Sequence, residues 1–351
     1  MRNVYHVTED VSRASGGIRT VVEDLHRHFP QSTILTTQKD PADYHIKSFK
    51  NKGPWLYSGD FKDHLKALPC DSLFHIHGVW MHAQFTAATT AHNSDIPFIL
   101  SPHGMYEPWL WKEGTLKKKL YFNLLTSSAF AKANYIHAIT PDEQDNLQKL
   151  FPKSNVVCIP NAIDTPVLPE RISHKKPYFL FLGRLHPKKG LDVLLEVFEQ
   201  LKLENFDLLI AGKENEYSNR LKKQYASNSN QNIKFIGAVH GSEKNQLYRD
   251  AHAFVAPSYS EVIGMVNLEA AMMATPVITT HQTGILKQWS NNGGVLINPD
   301  KEELAQSIKE LSKLGDQQRN EMGVKLREFV IRHYSWDAIG PMWKSLYQSM
   351  S

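Results

Sequence analysis

From Ser260 to Ala270 the chain reads S-E-V-I-G-M-V-N-L-E-A, which sets Glu261 and Glu269 eight positions apart with Gly264 between them. If the segment turns from loop into helix near Gly264, the first carboxylate sits on the loop and the second lies just over a turn inside the helix. The backbone N–H groups of Gly264, Met265 and Val266 would then point out of a helix start, where free donors and a positive dipole end suit a phosphate. Carboxylates repel phosphate, so Glu261 and Glu269 are expected to hold hydroxyl groups on either side of it. A sugar joined through a diphosphate to a ribose fits that description. The plainer alternative is a pair of solvated carboxylates on a surface helix. Against it, Ala270 to Ala274 continue as a small, apolar stretch, and Thr275-Pro276 closes the helix before the β-branched run Val277 to Thr280. A helix buried along its length puts first-turn charges at a cleft.

A second cluster, F-L-G-R-L-H-P-K-K-G from Phe181 to Gly190, carries Arg184, Lys188 and Lys189 on a loop after a strand. A guanidinium fork beside compact ammonium charges suits a diphosphate that gains negative charge as its sugar leaves, although a solvated basic turn has the same composition. Near the N-terminus Ala14-Ser15-Gly16-Gly17-Ile18 opens a helix expected over Thr20 to Phe29, and paired glycines allow close backbone approach to a ligand. No G-x-G-x-x-G accompanies them, which counts against a nicotinamide or flavin dehydrogenase. Leu100 to Met105 ends a strand with His103 beside Gly104, a position that brings an imidazole to a cleft or simply to the core. His75 and His77 share a strand face and invite a metal reading, with His82 and His92 beyond. No carboxylate or Cys is spaced to complete that site and no Asp-x-Asp occurs, so no metal is expected.

These residues need a scaffold of alternating strands and helices. Strands are expected at Val4 to Val7, Ser32 to Leu35, Leu73 to Ile76, Phe98 to Ser101 and Tyr135 to Ala138. After a polar, proline-bearing linker over 165–177 the alternation restarts with Tyr178 to Leu182, Asp207 to Ala211, Ile233 to Ile236, Ala253 to Ala256, Pro276 to Thr279 and Gly294 to Ile297. Two βαβα series imply an α/β protein of two Rossmann-like domains, 1–164 and 178–334, with ligands outside the carboxyl ends of their strands. The last segment, 335–351, carries Trp336, Met342, Trp343, Leu346 and Tyr347 at helical spacing and is expected to pack back on the first domain.

Lys and Arg number 40 against 36 Asp and Glu, a net charge of +4 far from that of a nucleic-acid binder. Cys70 and Cys158, the two cysteines, form no C-x-x-C, which fits a reducing compartment. Without a signal-peptide core or a membrane span, the expected location is cytoplasmic. The stretch from Lys112 to Lys132 interleaves Lys117, Lys118 and Lys119 with Leu116, Leu120, Phe122, Leu124 and Leu125. It reads either as an ordinary surface helix or as a basic amphipathic element on the inner face of an anionic membrane.

Taken together, Gly16-Gly17, S-P-H-G-M at 101–105, I-P-N-A-I-D at 159–164, F-L-G-R-L-H-P-K-K-G at 181–190 and Glu261 with Glu269 resemble the retaining glycosyltransferases of family four, in both order and spacing over nearly the whole chain. The H-I-H-G-V-W and S-P-H-G-M-Y-E-P-W forms resemble the branch that builds bacterial surface polysaccharides on a lipid carrier. The resemblance implies the GT-B fold, two facing Rossmann-like domains with a donor/acceptor cleft between them. It implies metal-independent transfer of a hexose or N-acetylhexosamine from a nucleotide-diphosphate sugar, a UDP-sugar before a GDP-sugar, to a saccharide acceptor carried on a polyprenyl diphosphate. By the same resemblance Arg184 and Lys189 would stabilise the leaving diphosphate, Glu269 would hold the ribose hydroxyls and Glu261 the transferred sugar. His103 would lie near that sugar's anomeric or C6 region, and Gly16, Gly17 and the amides of Gly264, Met265 and Val266 would complete the phosphate cradle. Val262-Ile263 departs from the Phe or Ser often found two residues after the first Glu in this family, which bears on the donor's identity. A nucleotide-sugar epimerase and a non-catalytic nucleotide-sugar-binding protein are the alternative functions.

Overall fold

The structure is a computed structural model of the chain and describes residues 2–12, 16–41, 43–111, 115–225 and 232–350. It divides into two compact units, Met1–Asn161 with Ile339–Ser351, and Ala162–Ala338.

The first unit is built on a seven-stranded sheet. Its strands are β1 (Asn3–Asp10), β2 (Thr33–Gln38), β3 (Ile46–Ser48), β4 (Ser72–His77), β5 (Phe98–Ser101), β6 (Tyr135–Ala138) and β7 (Val156–Cys158), all parallel in the order β3-β2-β1-β4-β5-β6-β7. The helices are α1 (Gly17–His28), α2 (Gly59–Lys66), α3 (His82–Asn93), α4 (Thr115–Tyr121), α5 (Ser127–Phe130) and α6 (Pro141–Leu150), with a π-helical turn Phe122–Thr126 between α4 and α5. Every residue of β4 and β5 is buried, as expected for central strands covered on both faces. Val7, Phe74, Ile76, Leu100 and Phe130 are among the side chains of the main core. Local chemistry sets the helix starts. Ser58 caps α2 through Phe61 N–H, and Thr140 caps α6 through Glu143 N–H, with Pro141 at the first helical position.

The second unit contains β8 (Tyr178–Leu182), β9 (Asp207–Ala211), β10 (Ile233–Gly237), β11 (Ala253–Ala256), β12 (Val277–Thr280) and β13 (Val295–Ile297), parallel in the order β10-β9-β8-β11-β12-β13. Around it lie α7 (Leu191–Leu201), α8 (Glu216–Tyr225), α9 (Gly241–Asp250), α10 (Met265–Met272), α11 (Lys301–Leu311) and α12 (Asp316–Tyr334). The last helix, α13 (Trp336–Gln348), carries Trp343 and Tyr347 into the first unit, where Tyr347 bonds His75.

In both sheets the strand order reverses once, between β1 and β4 and between β8 and β11, which are the positions where doubly wound sheets open a crevice at their carboxyl ends. Five of the expected strands, Phe98–Ser101, Tyr135–Ala138, Tyr178–Leu182, Asp207–Ala211 and Ala253–Ala256, have the expected bounds; the others shift by one to three residues at an end. The sequence reading omitted β3 and β7. Each has three residues and forms an edge of the first sheet, too short for a legible run.

Candidate active site

In the second unit, the loops after β8 and β11 meet at the crossover. Gly190, at φ +69, starts α7 so close to the next loop that a Cβ there would lie 2.2 Å from Pro257 O. Tyr259 N–H donates to Lys188 O at 2.8 Å. This tight stacking delivers Lys189 to Glu261, and the two form an ion pair whose side chains are only 13% and 11% exposed. Ser258 Oγ also reaches Glu261 Oε1, at 3.4 Å. Burial pushes the Lys188 ammonium down against the pull of Glu261, with Lys189 and Arg184 adding to the push. Arg184 is exposed and makes no hydrogen bond or ion pair among the described residues. The result is a patch of excess positive charge at a strand end with one carboxylate in it.

Glu269 lies in the second turn of α10 and is held by residues of α9. Lys244 Nζ pairs with its Oε1 at 2.9 Å, and Tyr248 donates its hydroxyl to Oε2 at 2.9 Å. Sequence reasoning missed both partners. Their i, i+4 spacing places them on one face of α9, but nothing in the sequence says which carboxylate that face meets.

The expected phosphate cradle is corrected at two of its three amides. Gly264 N–H donates to Thr283 O at 3.0 Å, on the loop after β12, and Met265 N–H to Ile263 O at 3.1 Å, within the loop that leads into α10. Val266 remains in the first turn, where a helical N–H has no intrahelical acceptor. Gly264 is required for space: a Cβ would lie 2.3 Å from Asn267 Nδ2, which is itself buried and bonded to Thr279 Oγ1 at 3.0 Å.

In the first unit, Gly16 (φ +68) precedes α1 as its cap and Gly17 begins it, both exposed with open space at their Cα positions. Ala14 and Ser15 of the same motif lie outside the described residues. His103 follows β5 with φ +54 and Gly104 with φ +74, a left-handed pair that a histidine adopts only under local constraint. The constraint is Glu143, missed from sequence. Its carboxylate accepts from Gly104 N–H at 2.6 Å and from Ile139 N–H at 2.7 Å, and burial raises its pKa to about 7.

His75, His77 and His137 are buried in the sheet together with His6 of β1, which the register places opposite His75. The hydrogen bonds leave one assignment of protons for one row. Ile159 O only accepts, so His137 donates from Nε2 (2.8 Å) and accepts at Nδ1 from Ser101 Oγ–H (2.8 Å). Ser101 Oγ then accepts from His75 Nε2–H at 2.7 Å, and His75 Nδ1 accepts from the Tyr347 hydroxyl at 2.9 Å. His6, His75 and His77 offer ring nitrogens within 4.8 Å of one another. Both nitrogens of His75 are committed to this row, so a metal would have to break it. Burial lowers the pKa of all these rings.

An open pocket of about 540 Å³ lined by Arg2, Ile96, Lys132 and Tyr135 lies at the amino ends of β5 and β6. Parallel sheets bind ligands at the other end, so the pocket does not compete with the strand-end sites.

The chain matches two family descriptions end to end, "Glycosyltransferase Family 4" over residues 15–167 and "Glycosyl transferases group 1" over residues 168–329. It is 24% identical over 203 residues to the O-antigen chain mannosyltransferase RfbU of Salmonella typhimurium, an alignment covering 57% of this chain and 57% of that protein, so less than two thirds of the relative's length is matched. Among solved structures it is similar to HepE of Anabaena in complex with UDP, with a TM-score of 0.80, 15% identity and coverage of 99% of this chain and 100% of that one. Sucrose-phosphate synthase of Thermosynechococcus elongatus gives a TM-score of 0.78 at 18% identity, covering 100% of this chain and 99% of that one. These two likenesses speak to fold alone. Two doubly wound units and two adjoining family matches agree: the chain belongs to the GT-B glycosyltransferases of the group 1 and family 4 type.

Proposed function

We propose that the protein is a retaining, metal-independent hexosyltransferase that takes a hexose or N-acetylhexosamine from a nucleotide-diphosphate sugar to a saccharide acceptor, a lipid-linked intermediate of surface polysaccharide synthesis. The observation that carries this reading is the pairing of Lys189 with Glu261 beside Arg184 at the end of β8, with Glu269 clamped one helix away. A donor diphosphate competes with Glu261 for Lys189 and takes Arg184 as its second cation, while Glu261 is released to a sugar hydroxyl. Glu269, already fixed by Lys244 and Tyr248, accepts from the ribose hydroxyls without having to be ordered on binding. In the first unit His103 hydrogen-bonds a hydroxyl of the reacting sugar. Front-face attack, in which the departing phosphate oxygen helps deprotonate the acceptor, needs no protein base.

The mannosyltransferase relative makes mannose a sugar to test beside glucose, and the UDP complex of HepE makes UDP the first nucleotide to test. Among the described residues no helix is long and apolar enough to cross a membrane. Contact with an anionic membrane is assigned to the surface carrying Lys117 and Lys119 with Leu116, Leu120 and Leu124, all exposed; Lys112 to Gly114 lie outside the described residues.

Calorimetric binding of UDP, GDP and ADP with their sugar conjugates, without metal and then with magnesium, tests the reading. One nucleotide family is expected to bind without metal, and Glu269→Ala to weaken it about 10- to 100-fold through the lost ribose bonds. Glu269→Gln, which keeps an acceptor for Tyr248, separates that loss from destabilisation of α9. Binding that requires magnesium would remove the proposed site. Turnover of a nucleotide sugar with no acceptor present would favour an epimerase instead.

A further inference from the structure

Beside the row that ends on Ile159, a second line of rings runs outward through the first unit. His6 Nδ1 meets His77 Nε2 at 3.0 Å, and His77 Nδ1 meets His103 Nε2 at 2.9 Å. His6 and His77 are fully buried, whereas His103 is half-buried on the loop after β5. A neutral imidazole carries one proton, so both bonds can form in only two ways. Either every ring donates from Nδ1 towards His103, or every ring donates from Nε2 towards His6.

The inner end decides between them. His6 Nε2 is buried and has no partner. In the inward direction it carries an N–H with nothing to accept it, and an orphaned buried N–H is rare and bears its full desolvation penalty. In the outward direction the same nitrogen is a bare lone pair, and the surplus N–H appears on His103 Nδ1, which reaches no other group among the described residues and sits at the half-buried end of the line. Gln84 supports the arrangement by donating to His77 O at 2.8 Å, which fixes the strand end carrying the middle ring.

We propose that His77 and His6 are positioning residues that hold His103 in one tautomer, with its proton on Nδ1, so that His103 presents a hydrogen-bond donor to an oxygen of the reacting sugar and cannot serve as a base through that nitrogen. This rests on the proposed role of His103 at the sugar, but the tautomer itself is independent of it. Two coupled rings thus do for His103 what a single carboxylate or carbonyl does for many active-site histidines.

The test is histidine-selective 15N NMR of the full chain, with ring signals identified by single His substitutions. The Nδ1 of His103 is expected to be the protonated nitrogen in the unaltered protein. In His77→Leu the His103 nitrogens should move to averaged positions typical of exchanging tautomers, while those of His75 and His137, held by their own row, stay in place. Turnover in that variant should fall roughly tenfold with little change in KM for the donor, as for one lost hydrogen bond in the transition state. A proton on Nε2 of His103 in the unaltered protein overturns the proposal without need of any variant, and so does a His103 signal unmoved in His77→Leu. An Nδ1 proton combined with full activity in His103→Ala would leave the relay standing and remove only the functional role given to His103.

Discussion

Glu261 and Glu269 are eight residues apart, yet the structure gives them different partners. Glu261 shares Lys189 and sits where a diphosphate would contest that cation; Glu269 is held by Lys244 and Tyr248, which a ligand need not displace. Arg184 differs from both in making no ion pair or hydrogen bond among the described residues, so its charge is available without breaking a contact. In the proposed transfer, charge on the β-phosphate grows as the sugar departs, and an interaction that strengthens with that growth acts on turnover more than on binding. Arg184→Ala is therefore expected to lower kcat roughly 100-fold while the nucleotide Kd changes by less than about threefold. Steady-state kinetics beside calorimetry check the split, and an equal loss of affinity with unchanged kcat would contradict the assignment.

At the scale of elements, the approach of α7 to the loop after β11 is what makes the cationic site. Gly190 lacks room for any Cβ and has a left-handed backbone, so Gly190→Ala should cost about 3 kcal/mol and withdraw Lys189 from Glu261. Gly16 has a similar φ, +68, but a different ψ, −124, and open space around it, so Gly16→Ala meets backbone strain without a clash and should cost less, about 2 kcal/mol. Denaturant midpoints of the two variants measure the difference. The segment from α4 through the π turn is a different kind of element: Leu116, Leu120 and Leu124 form an i, i+4, i+8 stripe that is 72%, 48% and 76% exposed beside Lys117 and Lys119. Each leucine inserted into lipid is worth about 2 kcal/mol, so Leu116→Glu with Leu124→Glu should lower cosedimentation with anionic vesicles more than roughly tenfold. Unchanged cosedimentation would mark the stripe as an ordinary surface. The strands that frame these sites were legible because central parallel strands are continuous apolar runs between turn residues, and the same alternation placed the basic loop after β8, Glu261 before α10 and Glu269 inside that helix. The partners Lys244, Tyr248, Glu143 and His6 were not, because each meets its target through sheet order or helix packing, which local sequence does not encode.

On the whole molecule, the placement of ionisable groups makes acid stability uneven. Burial lowers the pKa of His6 and His103 to about 3 and of His137 to about 4, and holds His75 and His77 well below 6.5, all in the first unit. Such a histidine is neutral in the fold but protonates when unfolded, so its contribution is present above pH 6.5 and is lost as pH falls towards 4. Glu143 acts in the opposite sense. Its pKa is raised to about 7, so the fold favours its protonated form and its contribution is lost as pH rises from 4.5 to about 7. Glu9 and Glu107 share that sense, and His26, His64 and His82 are also lowered, so the histidines outnumber the glutamates and leave the first unit with a net acid lability as pH falls through about 5.5. In the second unit His252 is the one histidine with a lowered pKa among the described residues. Calorimetric unfolding between pH 8 and pH 5 should therefore show the transition of the first unit moving down steeply while that of the second barely shifts. Replacing His75 by Gln, which preserves an amide donor and acceptor in the row but does not titrate, should reduce the slope by about one proton. A pH dependence shared equally by both transitions would mean that the buried histidine rows do not set the acid limit of the fold.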